Sequence, residues 1–296
     1  MEAVQHLADL LEGTYTLRIL ENFFQLLFDI GPYLLGSVAI NVAAIRYFRG
    51  RTILSSVKNE FLSILFASLI GLVSPLPTYA AIPIALSLMP LGVPFSAVMA
   101  FVIASPLMNP SIFFLTATQI GMEMAIVRTL AAFLLGVIGG LITLRFFKSA
   151  FKKEDMVEHL HQGAQRSFMR EIYGSSLFAA KYFSVAILLS AAVKALVPPQ
   201  AITGLLGGNA KASTLIAIGM GVPFYTCGGA AVPFVKTLMD LGMSKSATLA
   251  FFIAGPATKL ETLYAYHRLL GVKILVFYLV LTLVFSYVAS VVYSFT

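Results

Sequence analysis

Chain chemistry concentrates at one thiol set in apolar surroundings. Cys227 lies in the run 221–233, GVPFYTCGGAAVP, next to Tyr225, Gly228 and Gly229. Proline cannot donate the helical N–H bond and glycine lets backbones approach closely, so this run interrupts a helix. Irregular backbone at membrane depth survives only where protein buries it or where it lines a wet cavity. A helix restarting near Gly228 aims free N–H groups and a positive dipole end at that cavity, which favours an anion or an electron-rich ligand. The same field lowers the pKa of a neighbouring thiol, and a thiolate suits a soft metalloid or a sulfur compound. The plainer alternative for Cys227 is a small buried hydrophobe.

The interruption occurs twice. The stretch 71–110 aligns without a gap to 221–260, at an offset of 150 residues (Gly71 against Gly221), and Pro83, Leu88, Met89, Gly92, Ala104 and Pro106 recur in the second copy. The first-copy break holds Pro75 and Pro77, and Tyr79 opens the short helix that follows. Duplicated halves with Gly/Pro-interrupted apolar segments at matching places point to a transporter binding site. A second pair of breaks falls at Ser105-Pro106 and Gly255-Pro256, with Ser105, Asn109 and Thr258 as nearby polar groups. Carbonyls freed there can meet a cation or a substrate; packing through small residues is the alternative. Lys259 and Lys236 stand in apolar surroundings, where charge defaults to a functional reading unless the side chain snorkels to an interface. Arg128 and Lys181 read as snorkelling, and Asn41 as a hydrogen-bonding or cavity-lining group.

These residues need a membrane fold to hold them. Apolar residues make up 59% of the 296 and charged ones 11%, against about 25% charged in soluble domains, and the mean hydropathy is +0.90. The reading is an all-α integral membrane protein of two homologous five-helix halves, an inverted repeat with short broken or re-entrant helices at the midplane. Residues 1–21 form an N-terminal amphipathic segment, 22–147 the first repeat, 148–171 a polar basic cytoplasmic linker and 172–296 the second repeat. The first twenty residues carry Glu2, Asp9 and Glu12 with no basic stretch before an apolar core, so they do not read as a secretory signal. Crossings are expected over 23–45, 61–73, 95–120 and 124–147, with a short helix at 79–89. In the second half they fall at 173–197, 210–221, 246–267 and 272–295, with a short helix at 229–239. Basic residues cluster at 46–58, 145–170 and 267–273, one side of the membrane if each half crosses five times, and that side is cytoplasmic. Five is odd, so the halves enter from opposite sides. The net charge of +7 is explained by these loops, which argues against a nucleic-acid partner.

One cysteine excludes an internal disulfide and a multi-cysteine metal cage. The chain shows no phosphate loop, no HExxH and no CxxC; His159 and His161 form an isolated HxH in a polar loop, so neither a metal nor another cofactor is expected. No acid/base or nucleophile constellation points to an enzyme.

The segments LVPPQAITGLLGGN (196–209) and GVPFYTCGGAAVPFVKTLMDLGMS with AFFIAGPATK (221–259) resemble the predicted-permease family that contains the organoarsenical efflux permeases, ArsP, and the YraQ-type permeases. P-x-Y-x-C-G-G-x-x-x-P around Cys227 and A-G-P-A-T at 254–258 carry the likeness. The resemblance implies a multi-pass permease of the cytoplasmic membrane that exports trivalent organoarsenicals, with Cys227 recognising arsenic. The family's first-half break usually reads P-x-C-x-C-G, whereas here it is Pro75-Leu76-Pro77-Thr78-Tyr79-Ala80. One thiolate does not chelate a trivalent metalloid alone, so a small sulfur-containing anion is an alternative solute. A scaffold or partner subunit without transport is the other class. The expected partners are a small-molecule substrate and the bilayer, with homo-oligomerisation open.

Overall fold

The computed structural model describes residues 18–29, 32, 59–74, 81–82, 85–86, 88–89, 92–147, 184–185, 187–208, 210–221, 229 and 231–295. Among them every regular element is helical. We number them α1 (18–29), α2 (Glu60–Val73), α3 (Phe95–Ala104), α4 (Pro110–Gln119), α5 (Met122–Phe146), α6 (Ile187–Leu196), α7 (Pro199–Ile202), α8 (Ala210–Gly221), α9 (Ala231–Asp240), α10 (Lys245–Ala257), α11 (Leu260–Leu270) and α12 (Val272–Tyr293).

Local chemistry sets their ends. Asn59 caps α2 by accepting from Phe61 N at 2.9 Å, and Asn109 caps α4 by accepting from Ile112 N at 2.9 Å, with Pro110 at the first helical position. Gly92 and Gly242 both take a positive φ, 95° and 104°. Each donates its N–H three residues back, to Met89 O and Met239 O, while Val93 N and Met243 N reach five back to Leu88 O and Leu238 O. This is one Schellman closure made twice. Gly121 and Gly271, also at positive φ, are the N-caps of α5 and α12. All four glycines fall in pairs at the repeat offset, so the duplication holds at the level of backbone angles.

The packing is duplicated too. In the first half α3 lies on both α2 and α5, α2 on α5, and α4 on α5; in the second, α10 lies on α8 and α12, α8 on α12, and α11 on α12. Small residues permit this. A Cβ on Gly140 would stand 3.0 Å from both Ala100 Cβ and Ser96 O. The equivalent of Gly136 is Ser286, whose Oγ donates to Ala250 O at 2.9 Å.

The long helices are polar inward and apolar outward. On α12, Val276, Val280, Val284, Val288 and Val292 are exposed at four-residue spacing, while Tyr278, Thr282, Ser286 and Ser290 are buried. On α5, Ile126, Leu130 and Leu134 face outward against buried Arg128, Ala132 and Gly136. Such inversion fits lipid as the solvent and hydrogen bonds inside the bundle. Two helices are long and apolar enough to cross a bilayer among the described residues, α5 with 25 residues and α12 with 22, or three if the bent pair of α6 with 199–207 is one span. At 1.5 Å per residue α5 and α12 reach about 37 and 33 Å against a hydrocarbon core of about 30 Å.

The apolar run 95–120 is interrupted where the sequence places its break, into α3 and α4 on either side of residues 105–109. Two expectations change. In the second half the helix continues through Pro256 and ends at Ala257, so the break falls at Thr258-Lys259: proline removes only its own donor, and Thr258 N still reaches Ala254 O at 3.1 Å. The uncharged connection after α6 is not a simple loop. Pro199 starts the short α7, which runs into a π turn at Thr203–Gly207, bent 105° from α6. Leu206 O accepts from Ser244 N at 3.0 Å, which docks the turn on the start of α10.

The two long equivalent helices run in opposite directions. Tyr293, near the end of α12, donates its hydroxyl to Glu123 Oε1 at the start of α5, at 2.6 Å, and Phe147 past the end of α5 meets Phe277 early in α12 with ring centroids 5.1 Å apart. Lys245 at the start of α10 pairs with Glu123 Oε2 at 2.7 Å, so α5 and α10 start at the same end.

Candidate functional site

In each half the helix that precedes the first interruption packs on the helix that ends at the second. A Cβ on Gly71, near the end of α2, would lie 2.9 Å from Phe101 O and 3.2 Å from Ala104 Cβ at the end of α3. A Cβ on Gly221, the last residue of α8, would lie 3.2 Å from Gly255 N and 3.4 Å from Gly255 Cα. Backbone meets backbone at both places, which is why glycine stands there. The depth of these meetings is fixed by the long helices. Gly136, in the middle of α5, holds Ala104 and Ala100 against its face, and Ser286, in the middle of α12, holds Ala250. The break after α3 therefore opens near half the length of α5, and α10 runs two turns past its contact with Ser286 before its own break.

Ser105 follows α3 and is buried, and its Oγ has no hydrogen-bond partner among the described residues. An unmet buried hydroxyl costs about 1–3 kcal/mol, and Ser105 thus offers a donor to a ligand at the break. Asn109 spends its side-chain oxygen on the α4 cap. Thr258 donates to Ala254 O at 3.0 Å and Thr262 to Pro256 O at 3.4 Å, so two threonines serve carbonyls around the second-half break. Lys259 is largely buried and pairs with Glu261 Oε2 at 2.6 Å, so its charge is already met by a carboxylate. Gly229 is a buried turn whose carbonyl accepts from Val232 N at 3.1 Å at the start of α9. Helix α9 packs on α4 and on α10, joining the two halves. Lys236 pairs with Asp240 at 2.6 Å on an exposed face, the snorkelling outcome. Pro75, Pro77, Tyr79, Tyr225, Cys227 and Gly228 lie outside the described residues, as do Asn41, Lys181 and the 148–171 linker.

Arg128 does not snorkel. It is 1% exposed, donates from Nη1 to Thr116 Oγ1 at 3.2 Å, and its guanidinium carbon sits 4.1 Å from the ring centroid of Phe252. Thr116 in turn donates to Ile112 O at 2.7 Å, so its oxygen is oriented to accept from the arginine. Phe252 belongs to α10, so this contact crosses between the halves, in the last two turns of that helix. The sequence carried one signal for it. Arg128 shares a stripe with Ala132, Leu135 and Gly136, opposite the apolar stripe of Ile126, Leu130 and Leu134. Among the described residues no group of three or more His, Cys, Asp or Glu side chains could hold a metal ion.

A family described as predicted permease, ArsP_1, matches residues 17–295. The chain belongs to this predicted-permease family. Membership of a predicted-permease family points to membrane transport. The UPF0718 protein YcgR of Bacillus subtilis is 24% identical over 254 residues, 81% of this chain and 85% of that one. The UPF0718 protein MJ0584 of Methanocaldococcus jannaschii is 28% identical over 163 residues, 54% of this chain and 42% of the relative's own length. No solved structure matches.

Proposed function

We propose that this permease is an inverted repeat of the cytoplasmic membrane that moves a small thiophilic solute, an organoarsenical or a sulfur-containing anion, outward through the mid-depth breaks. The carrying observation is the antiparallel run of the equivalent helices α5 and α12, with α2 and α8 closing by backbone contact on α3 and α10 in the two halves alike. A twofold axis in the membrane plane accounts for that arrangement and relates the two break pairs. In this reading Cys227 supplies the soft ligand and Ser105 a hydrogen-bond donor. Basic loops put the 148–171 linker in the cytoplasm.

Purified protein in liposomes tests the reading. Wild type accelerates flux of methylarsenite or thiosulfate over empty liposomes. Cys227→Ser conserves volume and fold, and lowers that flux about tenfold, on the order of 1.4 kcal/mol for one lost contact. No flux of any tested solute by wild type would overturn the permease reading. Equal flux by Cys227→Ser would overturn the thiol.

A further inference from the structure

Glu123 joins the two halves at one end of the molecule. It is the second residue of α5, and both of its carboxylate oxygens reach across to the second half. Oε2 accepts from Lys245 Nζ at 2.7 Å, at the start of α10. Oε1 accepts from the Tyr293 hydroxyl at 2.6 Å, in the last turn of α12. The pairs Lys236–Asp240 and Lys259–Glu261 instead join near neighbours in sequence. Ser244, the N-cap of α10, gives its N–H to Leu206 O of the π turn. The start of α10 is thus held by its own half and by Glu123 of the other.

The opposite end cannot make this clasp. The repeat equivalents of Glu123, Lys245 and Tyr293 are Lys273, Phe95 and Thr143. Lysine only donates, phenylalanine carries no polar group, and Thr143 gives its hydroxyl to Gly139 O of its own helix at 2.7 Å. At that end the rings of Phe147 and Phe277 meet instead. The clasp is therefore an addition to one face and not a product of the packing that both halves share. Beneath it the halves meet along a seam. Lys245, Thr248 and Phe252 follow at i, i+3 and i+7, one stripe of α10. Lys245 meets Glu123 and Phe252 meets Arg128, both on α5, and Thr248 is buried between them.

We propose that Glu123, Lys245 and Tyr293 are an outer latch, which holds this face of the seam shut and parts when the permease opens outward. The proposal rests on the permease reading, in which the basic linker after α5 is cytoplasmic and the start of α5 lies outside. The strength of the contact suits that task. The side chains of Lys245 and Glu123 are 61% and 59% exposed, and ion pairs so open to water are weak. Such a latch biases the closed arrangement without fixing it, because an equilibrium between two arrangements moves only by the difference in contacts between them.

The test uses the full chain, freed of its one cysteine by Cys227→Ser, with Thr248→Cys or Ser290→Cys as a reporter. Thr248 lies in the seam. Ser290 is buried inside the second half, since its repeat equivalent Gly140 packs on Ala100 and Ser96 of its own half. Neither hydroxyl has a hydrogen-bond partner among the described residues, so replacing it breaks no bond. A membrane-impermeant maleimide is applied from outside to spheroplasts. Glu123→Gln, Lys245→Met and Tyr293→Phe should each speed labelling at 248 about three- to tenfold and leave labelling at 290 unchanged. Glu123→Gln and Lys245→Met remove the same pair, so together they should accelerate by less than the product of their single effects. The exchanged pair, Glu123→Lys with Lys245→Glu, should label more slowly than either half of the exchange alone. Unchanged labelling at 248 in all three variants, equal acceleration at 290, or fully multiplicative effects would overturn the latch. Flux in liposomes, measured separately, distinguishes the two readings. Flux without acceleration at 248 defeats only the latch, and acceleration at 248 without flux of any solute defeats only the permease.

Discussion

Three glycines test whether the packing beside the breaks is built on backbone contact. Gly219 and Gly221 stand two residues apart on α8, and Gly71 is the repeat equivalent of Gly221. A Cβ on Gly219 meets nothing within 4 Å, on Gly221 it meets Gly255 N at 3.2 Å, and on Gly71 it meets Phe101 O at 2.9 Å. Ordinary contact begins near 3.4 Å, so alanine at 71 must displace α3 by about 0.5 Å, and alanine at 221 must displace α10 by about 0.2 Å. Gly219→Ala should stabilise by about 0.5–1 kcal/mol, the intrinsic preference of a helix interior for alanine. At Gly71 the overpacking penalty of about 1–3 kcal/mol outweighs that gain, leaving a net cost of about 1–2 kcal/mol. Gly221→Ala should fall near zero. A change of 1 kcal/mol moves the melting temperature by about 2–4 °C in a large domain, so thermal unfolding of the detergent-solubilised variants resolves the series. Flux should drop for Gly71→Ala and Gly221→Ala and not for Gly219→Ala, since only the first two move a break. If Gly71→Ala were as stable as Gly219→Ala, the close approach of α2 to α3 would be wrong.

Other outcomes follow from the same geometry. In a Cys227→Ser background, Glu123→Cys and Tyr293→Cys should react with an impermeant maleimide from the same side, and Lys273→Cys from the other; all three reacting from one side would contradict the antiparallel halves. Ser286→Ala removes one hydrogen bond to Ala250 O and should cost about 0.5–1.5 kcal/mol, whereas unchanged unfolding would show that α12 does not lean on it. The Lys259–Glu261 pair is partly exposed, so Lys259→Gln and Glu261→Gln should each cost less than about 1 kcal/mol; a double variant losing the sum of the singles would show that the two charges do not interact.

Much of this arrangement could be read from residues alone. The repeat was visible as an ungapped alignment in which Gly92 recurs at Gly242, and the two positions prove to share one positive-φ closure. The long helices were visible because apolar runs of 25 and 22 residues without a proline leave few alternatives in lipid. Arg128 was misread because its position near a helix end allows snorkelling, and only the neighbouring helices decide which way a long side chain turns. The end of α10 was misplaced because proline was taken as a stop, while Thr258 continues the bonding for two residues beyond it. The availability of Lys259 depended on the rotamer that brings it to Glu261, which spacing does not specify.

The hydrogen bonds that tie long helices to their neighbours differ between the two copies, and this has a mechanical consequence. In the first half Ser68 Oγ donates to Phe133 O at 2.9 Å and clamps α2 to α5, while α3 meets α5 across the smooth faces of Gly136 and Gly140. In the second half Ser286 clamps α10 to α12, and Ile218 stands where Ser68 would be, so the Ser68 bond itself has no counterpart on α8. Matching elements therefore play unlike parts. The pair tied by a side-chain bond is α2 with α5 in one half and α10 with α12 in the other, so shear is expected to fall more on α3 in the first half and on α8 in the second. A rocking motion between the halves would then be unequal, with a break-bearing helix moving in the first half and its partner moving in the second. Amide hydrogen exchange should show it as faster opening of α3 than of α10, despite their common origin.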